Sequence, residues 1–121
     1  MLLEFNEFAG IVDQEVMNLP AEFKQLLTDN GIAILCREEV PAPVKEDYPD
    51  KIVFGIFIGI THNRYTLIQP LEPARIELYH SSFELVCPDL NAIKEQIQRT
   101  VIHEIAHYFG FSESRIRELG Y

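Results

Sequence analysis

The chain has 121 residues, of which 47% are hydrophobic, 24% charged and 11% aromatic. That composition fits one globular domain spanning 1–121 and excludes collagen-like, low-complexity and disordered classes. Nineteen acidic residues against ten basic ones leave a net charge of −9, and no Lys/Arg cluster stands ready to displace the counterions of a phosphate backbone, so neither nucleic acid nor an anionic membrane is expected as a partner.

Taken in chain order, Phe5, Phe8, Ala9, Val12 and Val16 recur at steps of three and four with acidic residues between them, which predicts an amphipathic first helix. Leu19-Pro20 interrupts it, and Pro20 suits the first turn of a short second helix carrying Phe23, Leu26 and Leu27 and ending at Asn30-Gly31. Ile32 to Cys36 reads as a buried strand. Residues 41–50, with three prolines and four charges, read as a surface loop. Ile52 to Ile60 is the clearest strand signal and, as an apolar run, is about half the length of a membrane span. Its Gly55 and Gly59 point to a bulge or to a close backbone approach. Thr61 to Pro73 is irregular, and Arg75 to His80 alternates polar and apolar like a half-buried strand. Asp89 then caps a long helix in which Leu90, Ile93, Ile97, Val101, Ile105 and Phe109 share a stripe, closed by Gly110. Ser112 opens a last short helix through Leu119. Helices, strands and helices again around one core make an α+β fold.

Cys36 and Cys87 lack disulfide-framework or metal-pair spacing and sit among apolar neighbours, so both read as small buried hydrophobes. The first residues contain no basic stretch followed by an apolar run and cleavage site, which makes a cytoplasmic protein the expectation.

The chemistry concentrates in His103-Glu104-Ile105-Ala106-His107, an H-E-x-x-H sequence on the long helix. Four residues advance a helix by about 400°, so the two imidazoles stand one above the other on one face. That is the spacing with which two nitrogens reach one Zn2+ ion at roughly 2.0–2.1 Å. Glu104, about 100° round the helix, stands too far to the flank to join them and is placed to take a proton from a water held by the ion. A zinc site needs a third protein ligand and an open position. Within the 14 residues after His107 the acids are Glu113 and Glu118. A chain reversal at Gly110 would bring Glu113 back toward the histidines, although an acid in a helix's first turn has an ordinary role beside the dipole as well. His62 reads as a loop histidine and His80 as a strand-end or surface one, while Tyr108 or Tyr121 is available to an oxyanion.

The segment HEIAHYFGFSESRIRELGY, residues 103–121, resembles the C-terminal signature of the minimal-zincin metallopeptidases of bacteria, H-E-x-x-H-x-x-G-x-x-[DE] closing in Leu-Gly and an aromatic. Upstream, the acidic N-terminal helix, Leu19-Pro20, the Gly55–Gly59 strand and the Pro73–Tyr79 segment follow the same order. The resemblance implies a small zincin-like domain, a short mixed sheet packed against a long active-site helix and further helices. It implies Zn2+ held by His103, His107 and Glu113, with Glu104 as the base. Glu113 replaces the more usual Asp and adds a methylene of reach. Metzincins share H-E-x-x-H-x-x-G but add a third His and a methionine turn, and here Met1 and Met17 both lie upstream. The expected function is zinc-dependent hydrolysis of a peptide or protein substrate, in a cleft that is shallow or completed by a second copy in a homo-oligomer. An extended substrate would lie along an exposed sheet edge. The alternatives are a non-catalytic binding or regulatory domain on the same scaffold and hydrolysis of another amide or ester.

Overall fold

The computed structural model describes residues 1–59 and 74–121. Ile60, the Thr61–Pro73 stretch and His62 fall outside the described residues.

The first helix, α1, runs Phe5–Met17 and buries Phe8 and Val12. The second, α2, runs Ala21–Asp29 and buries Phe23 and Leu27. Pro20 stands one position earlier than the sequence predicts, as the N-cap of α2, where its carbonyl accepts from the Phe23 and Lys24 amides. Gly31, at φ 60°, turns the chain out of this helix into strand β1, Ala33–Arg37.

The 41–50 segment is not wholly a loop. Ala42–Asp47 forms helix α3, with Pro41 as its N-cap and Pro43 in the first turn, where a missing amide costs the helix nothing. Val44 is the apolar anchor that holds it down. The strong apolar run after it yields a short strand, β2, Gly55–Ile58. Strand β3, Arg75–Tyr79, passes directly into helix α4, His80–Val86, which the sequence pattern does not reveal. His80 is buried, not a surface or capping residue: its Nε2 bonds the Leu3 carbonyl at 2.6 Å, and its ring packs against Phe5 and Phe8.

The long helix, α5, spans Leu90–Tyr108, and the Asp89 side chain accepts from the Ala92 amide at 2.8 Å as its cap. The final helix, α6, is Glu113–Glu118, capped by Ser112.

The sheet is small and mixed, with order β1-β3-β2; β1 lies parallel to β3, and β2 lies antiparallel to it. On one face Ile76 and Leu78 of β3 join Ile93, Ile97, Val101, Ile105 and Ala106 of α5, together with Phe8, Phe23 and Phe83, in one core. Each such large side chain contributes about 1.5–3 kcal/mol by leaving water, so α5 is the beam on which the fold is assembled.

The other face of β3 departs from the half-buried pattern. Glu77 is 2% exposed and Tyr79 fully buried. Glu77 Oε2 accepts from Arg37 Nε and Arg75 Nε, both at 3.0 Å, and its Oε1 accepts from the Tyr79 hydroxyl at 3.2 Å. A carboxylate survives burial here because charged donors replace its water.

Among the described residues both cysteines are free, Cys87 buried and Cys36 half-buried. No helix among them is long and apolar enough to cross a membrane.

Candidate metal and peptidase site

The site forms where α5 meets the free edge of β2. Phe54 accepts from the Tyr79 amide, and Ile56 and Ile58 stand opposite Glu77 and Arg75. Alternate residues of an antiparallel strand turn their backbone groups to opposite sides. Gly55 and Phe57 therefore present theirs away from β3, on an edge where the described residues place no further strand. The Phe57 amide meets the Glu104 carboxylate there, Oε2 accepting at 3.3 Å.

Gly55 explains how β2 comes so close. A Cβ there would lie 2.5 Å from the Glu77 carbonyl oxygen and 2.7 Å from Leu78 Cδ2, with Thr100 Cγ2 at 3.2 Å. The strand glycine thus marks a close backbone approach, one of the two roles the sequence allowed. Further along, Phe57 stacks on Tyr108 with ring centroids 4.1 Å apart, which fixes the register of strand against helix. In this structure Tyr108 has a packing role.

Two turns of identical design carry the C-terminal residues back to the histidines. At the end of α5, Gly110 takes φ 78°, its amide donates to the His107 carbonyl at 3.2 Å, and the Phe111 amide donates to the Ala106 carbonyl at 2.8 Å. This pair of bonds is the Schellman arrangement. The chain reverses, Ser112 starts α6, and Glu113 Oε1 arrives 2.7 Å from His107 Nε2. At the end of α6 the arrangement repeats: Gly120 takes φ 93°, its amide donates to Arg117, and the Tyr121 amide donates to Ile116. That turn sets the Tyr121 carbonyl oxygen 3.0 Å from His103 Nε2. Phe111 and Tyr121 both lean on Phe23 and anchor the two turns to the core.

The structure therefore brings His107 and Glu113 together, with His103 one turn away at a ring separation of 5.7 Å and Glu104 on the flank at β2. Glu118 takes no part in this cluster of contacts. Burial pushes the Glu104 carboxyl up, and the Phe57 amide and both histidines oppose that. Glu113, an exposed side chain, is held below the usual carboxylate range chiefly by its hydrogen bond to His107.

Two imidazoles and a carboxylate are a chemically suitable zinc donor set. Among the described residues, however, no three His, Cys, Asp or Glu side chains converge on one point as they stand. Tetrahedral ligands at about 2.0–2.1 Å lie roughly 3.4 Å from each other, so the His107–Glu113 pair, at 2.7 Å, must part slightly and His103 must release Tyr121. His107 and Glu113 have side chains 52% and 62% exposed, so little packing opposes that adjustment.

A sequence profile of zincin-like metallopeptidases matches residues 30–121. The chain belongs to the zincin-like metallopeptidase family. The zincin-like domain also shares its fold with a conserved hypothetical protein from Thermo thermophilus, at a TM-score of 0.63 and 19% identity over 88% of this chain and 94% of that one. No curated protein matches it. The family match agrees with the resemblance drawn from the motif, and the mixed three-stranded sheet under a long helix is the α+β zincin-like architecture expected from it.

Alongside the site runs an open cleft of about 470 Å³ between β2 and α5. His103, Glu104 and His107 line it on α5, and Tyr48, Lys51, Gln96 and Arg99 are further polar residues in its lining. The sequence pattern alone does not single out these last four. The helical spacing of Gln96, Arg99, Thr100 and His103 holds the clue for α5, since steps of three and four share a face.

Proposed function

We propose that this zincin-like domain is a zinc-dependent peptidase acting on an extended peptide. The observation that carries the reading is the Glu104 carboxylate against the outward-facing Phe57 amide, beside the His103/His107 pair and along an open cleft. His103, His107 and Glu113 would hold the ion. Zinc supplies polarisation of the scissile carbonyl and lowers the pKa of a coordinated water toward about 7.

The chain's own residues do the rest. Glu104 takes the proton of the attacking water on a carboxylate oxygen and passes it to the departing amide nitrogen. Its partial burial keeps bulk water from competing for that oxygen, and the Phe57 amide limits its rotation. The outward amide and carbonyl of Gly55 and the outward carbonyl of Phe57 offer a peptide the hydrogen bonds of an added strand. The absence of a Cβ at Gly55 keeps that edge close to the helix. An open cleft suits an unfolded segment better than a folded protein surface.

The second reading, a binding or regulatory domain without catalysis, is favoured by one specific contact, the His103–Tyr121 bond that engages a metal-facing nitrogen. Zinc-loaded wild type and Glu104→Gln, incubated with a diverse peptide library and read by mass spectrometry, separate the two. Cleavage by wild type that Glu104→Gln loses while retaining zinc supports the peptidase. Zinc binding by both proteins with no cleaved sequence overturns it.

A further inference from the structure

We propose that the cleft beyond Glu104 is a subsite for a carboxylate, so that the peptides this domain takes carry an acidic side chain two or three residues from the scissile bond. The inference rests on the peptidase reading for the word scissile, and on nothing in that reading for the carboxylate.

In a chain of net charge −9, cations are scarce and are expected to be neutralised. Arg37 and Arg75 are bound to Glu77, and Arg115 is bound to Glu22. Lys51 and Arg99, like Lys24, Lys45, Lys94 and Arg117, make no ion pair among the described residues, but these two line the same cleft as the catalytic cluster. One comes from the segment before β2 and the other from α5, so the two charges are contributed by opposite walls. Among the described residues that line the cleft Glu104 is the one carboxylate.

Placement along the cleft follows from the two elements that form it. Gly55 lies near Thr100, Phe57 meets Glu104 and stacks on Tyr108, so β2 and α5 advance together. Arg99 precedes Glu104 by five positions, a displacement of about 7.5 Å along the helix. An extended peptide advances about 3.3 Å per residue, which puts Arg99 beside a side chain two or three residues away from the bond that Glu104 serves. Lys51 and Tyr48, which precede β2 in the chain, line the cleft as well. The charge pattern is therefore a carboxylate near the C-terminal end of α5 with Arg99 at the helix midpoint and Lys51 on the facing segment, complementary to a peptide with one acid at a fixed distance. Arginine supplies a planar fork for that carboxylate, and lysine a point charge.

Exposed pairs of this kind are individually weak, so the expected preference is about tenfold in Kd, about 1.4 kcal/mol. The test uses Glu104→Gln, which binds without turnover, and a fluorescein-labelled neutral peptide of a dozen residues with Glu, Gln or Lys at its centre. Anisotropy is expected to rank Glu tightest and Lys weakest, with the ranking inverted by adding Lys51→Glu and Arg99→Glu and flattened by 0.5 M salt. Lys51→Gln with Arg99→Gln serves as a milder variant, and thermal unfolding confirms that each is folded. Equal affinity for all three peptides, no binding of any, or a ranking untouched by charge reversal overturns the subsite. Wild-type cleavage is scored in parallel: cleavage without charge preference removes the subsite and leaves the peptidase, while charge-dependent binding with no cleavage does the reverse.

Discussion

Glu77→Gln tests the buried side of the sheet. The glutamine has the same shape, so no cavity opens, and the change removes the negative charge alone. Three donors converge on the carboxylate: Arg37 Nε and Arg75 Nε on one oxygen, and the Tyr79 hydroxyl on the other. An amide satisfies the two arginines only by turning its oxygen to them and its NH2 toward Tyr79, whose hydroxyl must then swing round and accept. Hydrogen bonds to a charged group contribute about 1.5–3 kcal/mol against about 1 for neutral ones. The two arginines, 51% and 22% exposed, recover some hydration once the charge is gone, which discounts the sum. We expect a loss of about 2–3 kcal/mol at pH 7, or about 10 °C in Tm for a chain this size. The pH dependence gives a sharper check. Burial pushes the Glu77 carboxyl up, but Arg75 and then Arg37 more than offset it and hold it below the usual range. A depressed folded-state pKa stabilises fully above the unfolded value of about 4.3, and that contribution is lost as pH falls. Urea unfolding followed by circular dichroism should thus show the gap between wild type and variant narrowing progressively below about pH 4. A variant within 0.5 kcal/mol of wild type at pH 7, or a gap that widens on acidification, would refute the reasoning.

Three further outcomes follow from the same structure. Gly55→Ala forces a methyl against a backbone carbonyl at 2.5 Å, so differential scanning calorimetry should show a loss of about 1–3 kcal/mol, with hydrogen exchange at the Phe57 amide faster than in wild type. Asp89→Ala removes the cap of α5 and should cost about 1 kcal/mol by denaturant titration; no change would mean that the cap is redundant. Burial, and then Asp13, push the Cys36 thiol up to about 11, so a colorimetric disulfide reagent at pH 7.5 should label it at least about tenfold more slowly in the native protein than in urea.

Much of the site is legible in the sequence because its signals are local. The i, i+4 histidines need only a helix, and the Asp89 cap, the apolar stripe and Gly110 specify one. Gly110 also foretells the reversal that returns Glu113 to His107, since a left-handed residue at that point permits the Schellman turn. Gly55 signals close approach without saying to what. The unread parts depend on tertiary context. α3 begins among prolines that ordinarily mark a loop, and Val44 decides the matter by being buried. α4 continues β3 without punctuation, so no turn residue separates them and His80 looks from sequence like a surface residue. Glu77 sits in a pattern that alternates as a half-buried strand does, and burial of its second face follows only from the arginine on β1 across the sheet. The Tyr121–His103 contact and the Lys51–Arg99 pairing join residues 18 and 48 positions apart in sequence, beyond any periodicity.

X-ray absorption at the zinc edge of the loaded protein tests the central claim most directly. It should resolve two imidazoles and oxygen donors at about 2.0–2.1 Å, with one imidazole lost in His103→Ala and one oxygen shell altered in Glu113→Ala. A zinc shell without imidazole, or one that both substitutions leave unchanged, would contradict the account.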